Sequence, residues 1–116
     1  MVTKRFKTPL YGTKFTVVIY DNNQEFQEKF KDFQFDPPIT EFDGGVFKRD
    51  GDLFMVFSAE KEGYPTPGII AHEALHLVNE IFLEICHRNF DRYNDEPEAY
   101  LLCWIVNRVH EMINRK

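Results

Sequence analysis

Two imidazoles and a carboxylate fall within the pentapeptide His72-Glu73-Ala74-Leu75-His76, inside the run "TPGIIAHEALHLVNEIFLEICHRN". A helix turns about 100° per residue, so His72 and His76 lie about 40° apart on one face, one turn from each other. Imidazoles so placed can converge on one zinc ion, with Zn–N distances of about 2.0–2.1 Å. Glu73 is displaced about 100° from His72 and sits beside that face, where it need not occupy a coordination position. A bound Zn2+ lowers the pKa of its water to about 7. A neighbouring carboxylate can then take the proton as the water attacks a carbonyl, and return it to the leaving amine. The spacing therefore predicts metal-assisted hydrolysis with Glu73 as general base. The competing reading is three polar residues on an ordinary helix.

A hydrolytic zinc usually takes three protein ligands and keeps one position open. One arrangement puts a third His six residues after the second, but Phe82 stands there. His87 lies about 16 Å from His76 along a straight helix, and His110 is expected about 20 Å from the start of the last helix. The remaining candidates are Glu96 and Glu98 in "NDEPEAYLLCW". Either also interacts well with a helix N-terminus. Glu96 shares a face with Tyr100. Glu98 projects toward Leu102, Ile105 and Val109, and a carboxylate buried there would need a metal or another partner. Periodicity leaves both open.

The elements that must position these groups follow from patterning. "TKFTVVIYD", residues 13–21, is β-branched and aromatic and reads as a buried strand. In "NNQEFQEKFKDFQF", Phe26, Phe30 and Phe33 give one apolar helix face, and "DPP" at 36–38 ends it. Residues 39–58 read as a hairpin turning at Asp50-Gly51, with Gly44-Gly45 as a bulge. Thr66 and Pro67 suit the N-cap and first position of the motif helix, which should run to about residue 86 or 87. Ile70, Ala71, Ala74, Leu75, Leu77, Val78, Ile81, Phe82 and Ile85 would form its apolar side. Asp95 can cap a last helix running to about Asn114. The order β-α-β-β-α-α predicts one α+β domain over residues 1–116, with a small antiparallel or mixed sheet packed against three helices.

Composition narrows the classes. A chain of 116 residues is the size of one domain, and 43% apolar content with 12 Phe can build a core. The formal net charge of −5 and the shortness of "KRFK" at 4–7 argue against nucleic acid or an anionic membrane as partner. Cys86 and Cys103 match no Cys-x-x-Cys pattern and read as free buried thiols of a reducing compartment. With no apolar signal core in "MVTKRFKTPLYG" and no run long enough to span a bilayer, a cytoplasmic protein is expected.

Taken together, "HEALH" and "NDEPEAYLLCW" resemble the gluzincin division of HExxH zinc metallopeptidases, in which two His on one helix and a Glu on the next hold the metal. More closely, they resemble short zinc-peptidase-like proteins of phages and mobile elements, where a "DE-x-x-A-Y-L" segment follows at about this distance. The likeness covers roughly residues 66–107. It implies a minimal zincin-like domain, with His72, His76 and Glu96 as metal ligands and Glu73 as the base. Tyr100 stands where better-studied gluzincins carry Asp or Asn. The resemblance further implies an antiparallel edge strand before the motif helix, a place "DLFMVFS" at 52–58 would take, to hold an extended peptide or protein substrate. It also implies a group stabilising the oxyanion, for which Tyr64, Tyr93, Tyr100 and Arg108 are candidates. A zinc metallopeptidase is thus the first expectation. The alternative is a catalytically silent zincin-like binding or regulatory module, because so short a chain leaves little to build a specificity cleft.

Overall fold

The structure is a computed structural model that describes residues 1–9, 11–31, 42–86 and 95–114. Its strands are β1 (Val2–Lys7), β2 (Lys14–Tyr20), β3 (Gly44–Arg49) and β4 (Asp52–Ser58), and its helices are α1 (Asn23–Lys29), α2 (Pro67–Cys86) and α3 (Glu96–Asn114). The architecture is α+β, and from β2 onward the order is the expected one. β1 precedes it, hidden in the sequence by Lys4, Arg5 and Lys7. Such charges are what an exposed edge strand tolerates and what discourages pairing with another chain.

The sheet is mixed, in the order β1-β2-β4-β3. β2 and β4 are parallel; β1–β2 and β3–β4 are antiparallel. The motif helix is therefore preceded by an inner strand. β4 is hydrogen-bonded on both sides, and the edge beside it is β3, which corrects the assignment of residues 52–58 to an edge. The apolar content of "DLFMVFS" fits this, since an inner strand covered on both faces needs no polar side. β3 and β4 join through Asp50 and Gly51, both at positive φ, as a two-residue turn requires. The β3–β4 register runs unbroken from Gly44↔Phe57 to Arg49↔Asp52, so the Gly pair forms no bulge.

Alternation along β2 and β4 splits the core between two faces. Phe15, Val17, Ile19, Leu53, Met55 and Phe57 meet α2 and α3, while Val18, Tyr20 and Val56 meet Phe26 of α1. Asn22 caps α1, its side chain accepting from the Glu25 amide at 3.0 Å. Phe33, the "DPP" stop, residues 39–41, His87 and the connection through Tyr93 lie outside the described residues.

α2 starts as its sequence dictates, with Thr66 Oγ1 accepting from the Ile69 amide at 3.2 Å. Ile70, Ala74, Leu77, Val78, Ile81 and Phe82 are buried, whereas Ala71, Leu75 and Ile85, expected on the apolar side, face out. Lys48 of β3 ion-pairs with Glu84 and ties α2 to the edge strand. On α3 the inward stripe is Glu98, Leu101, Ile105, Val109 and Met112. Cys103 lies off that stripe and is a free, exposed thiol, contrary to the expected burial. The side chain of Cys86 is outside the description. Among the described residues no helix is long and apolar enough to cross a membrane.

Leu77 is fully buried where α2 meets the sheet. Leu77→Ala is expected to cost about 2–5 kcal/mol in urea unfolding, whereas Leu75→Ala, on the exposed side, should fall within about 0.5 kcal/mol of the parent.

Candidate metal centre

Successive turns of α2 present its two imidazoles together. The Nε2 atoms of His72 and His76 are 3.3 Å apart, with ring centroids 4.9 Å apart and planes at 74°. Two nitrogens bound at about 2.0–2.1 Å to one tetrahedral ion stand about 3.3–3.4 Å from each other. The pair is thus set at the bite of a zinc-sized cation. The same spacing allows one neutral ring to donate to the other, which holds the pair in register.

Glu73 turns the other way, as the 100° step demands. Its residue is only 8% exposed, and its Oε2 lies 4.0 Å from His72 Nε2. Ligand-capable atoms of His72, Glu73 and His76 all lie within 4.8 Å of one another, the one such gathering among the described residues. The donor set of two imidazoles and a carboxylate is one that zinc accepts.

The cleft is floored by Glu73 and walled by the start of β3. It measures about 330 Å³ and is lined by Phe42, Asp43, Gly44, Ile69 and His72. Gly44 explains how a strand approaches a helix so closely here. A Cβ on Gly44 would lie 3.1 Å from Glu73 Cγ and 3.1 Å from the Val56 carbonyl oxygen. The first could shift, but the second belongs to the sheet backbone. Asp43 ion-pairs with Lys61 at 3.3 Å beside this cleft. Asp43 and Gly44 were not among the expected site residues, although the Asp-Gly-Gly run marked an unusual backbone.

Burial raises the Glu73 carboxyl above its ordinary value of 4.5, and the charges of His72 and His76 partly oppose the shift.

The two α3 carboxylates part company. Glu98 is 3% exposed on the inward stripe. Glu96 is exposed and lines a separate groove with Tyr11, Tyr100 and Trp104. Tyr11 packs edge-on against Phe82, at 5.3 Å between ring centroids, which sets this groove beside the far half of α2. The structure therefore gathers His72, Glu73 and His76 and leaves Glu96 outside that cluster. Of the oxyanion candidates, Tyr64, Tyr100 and Arg108 do not line the cleft, and Tyr93 lies outside the described residues. His110 pairs with Asn114 at 2.9 Å on the exposed side of α3.

No protein-family model, curated protein or solved structure matches the chain.

In metal-free protein, Glu73→Gln should raise the urea midpoint at pH 7, because the parent must there bury a charge that its unfolded state keeps in water. The parent's stability is fullest below the unfolded carboxyl pKa and falls as pH rises through the higher folded value, so the gap should close toward pH 4. Gly44→Ala should cost about 1–3 kcal/mol by overpacking. Gly68→Ala, whose Cβ would meet nothing nearer than Thr66 Oγ1 at 4.0 Å, should instead stabilise α2 by up to about 1 kcal/mol.

Proposed function

We propose that this chain is a minimal metal-dependent peptidase in which His72 and His76 hold a divalent cation, zinc by donor type, and Glu73 is the general base. The 3.3 Å separation of the two Nε2 atoms, with a buried carboxylate beside them, carries this reading. When bound, the cation would supply Lewis acidity and lower the pKa of water in the cleft. Glu73 would accept the proton of the attacking water at a carboxylate oxygen and deliver it to the leaving nitrogen. Its place under β3 fixes that carboxylate and limits its solvation.

The substrate class is argued from β3. Among the described residues no strand pairs with its outer side, and its first residue walls the cleft. An extended peptide laid along that edge would be held by main-chain hydrogen bonds, with a carbonyl brought toward His72 and Glu73. The gluzincin-like ligand set would add Glu96. The observed position of Glu96 favours a site completed without it.

A second reading has its own support. The Glu73 oxygen lies within the same 4.8 Å gathering as the imidazole nitrogens, so it could itself be a ligand. The chain would then be a metal-stabilised binding module without turnover.

Zinc titration of Glu73→Gln separates the two, combined with cleavage of a mixed peptide library. The peptidase reading expects one zinc per chain, affinity near that of the parent, and hydrolysis abolished. Cleavage at the parental rate would show that Glu73 is not the base, and a collapse of zinc affinity would favour the module. His72→Ala should weaken zinc by more than the roughly 10–100-fold that losing an outer hydrogen-bond partner costs. Glu96→Ala should leave zinc affinity unchanged. A sharp loss there would bring Glu96 into the ligand set.

A further inference from the structure

The groove at the start of α3 is unrelated to the metal centre, and its lining is chemically selective. It measures about 520 Å³ and is lined by Tyr11, Tyr100 and Trp104, by Pro9, Pro97 and Leu101, and by one carboxylate residue, Glu96. It shares no residue with the cleft beside His72. Tyr100 is 74% exposed, and an aromatic ring held so far out gains little from the core.

Aromatic faces carry negative charge density and attract cations, most strongly where water is excluded. Trp104 already does so within the fold, with the Arg108 guanidinium carbon 5.4 Å from its ring centroid. That guanidinium is bound to Glu111 at 2.7 Å, so its charge is matched locally. The Glu96 carboxylate has no ion pair or side-chain hydrogen bond among the described residues, which leaves it to complement an incoming positive charge.

The kind of cation follows from counting donors. A guanidinium brings five N–H groups and a primary ammonium three, and each donor left unbonded against an apolar wall is costly. The described lining offers one carboxylate and two phenol oxygens. A quaternary ammonium has no N–H to satisfy, is weakly hydrated, and presents methyl groups to rings and prolines. We propose that this groove binds a quaternary ammonium group, as found on choline-type small molecules or on trimethylated lysine, with Tyr11, Tyr100 and Trp104 contacting the methyls and Glu96 balancing the charge. This site stands apart from the peptidase reading and does not depend on it.

The test is an NMR titration of the chain with tetramethylammonium, choline, a trimethyl-lysine peptide and the same peptide unmodified. Tetramethylammonium should shift the Trp104 indole and the Tyr100 amide. The trimethylated peptide or choline should bind at least about tenfold tighter than the unmodified peptide. If choline is the tighter of the two, the ligand is a free small molecule; if the peptide is, the ligand is a modified protein. Tyr100→Ala, at an exposed position that should not disturb folding, should weaken binding about two- to fivefold. Glu96→Gln should do the same. Trp104→Phe retains an aromatic ring against Phe6 and Phe15 and should weaken binding through its poorer π face. Equal binding of modified and unmodified peptide, or affinities indifferent to Tyr100→Ala and Glu96→Gln, would overturn the proposal.

Discussion

Glu73 is the constraint around which the site is organised. It stands one residue from an imidazole that faces water, yet it points into the seam between α2 and the sheet edge. A carboxylate in that seam is disfavoured unless something nearby needs it. The fold concedes space as well, because β3 passes with no side chain at Gly44, and a methyl group there would meet both Glu73 and the backbone of β4. Helix geometry then does the rest: once Glu73 is turned inward, His72 and His76, one turn apart, are set outward and together.

The sheet contributes by its order. With β4 paired on both sides, α2 lies across β4 and β3, and Lys48–Glu84 holds the helix to the edge strand further along. The buried stripe from Ile70 to Phe82 packs on Met55 and Phe57, so the first turns of α2 are fixed by the core while their outer face stays accessible. Among the described residues the candidate metal centre is consequently shallow.

Much of this was legible in the sequence, and the failures have physical causes. Helix limits at Thr66-Pro67 and Asp95, the Asp50-Gly51 turn and the convergence of His72 with His76 follow from local rules that tertiary packing did not override. The strand β1 was concealed because its charges suit an edge. Placing residues 52–58 at an edge failed because strand order depends on the crossover between β2 and β4, which leaves no local mark. Gly44 was read as a bulge because a glycine in a strand signals either irregular backbone or close approach, and sequence does not distinguish the two. The contrast between buried Glu98 and exposed Glu96 was visible in helical spacing, but the place of Glu96 beside Tyr11 and Trp104 depends on how α3 docks against β1 and α2.

X-ray absorption at the zinc edge of the metal-loaded chain reads the ligands of the ion. Coordination by His72 and His76 gives a nitrogen and oxygen shell at about 2.0–2.1 Å, with the outer scattering of two imidazole rings, reduced to one ring in His76→Ala. A spectrum of oxygen neighbours without imidazole scattering, unaltered by that substitution, would contradict it.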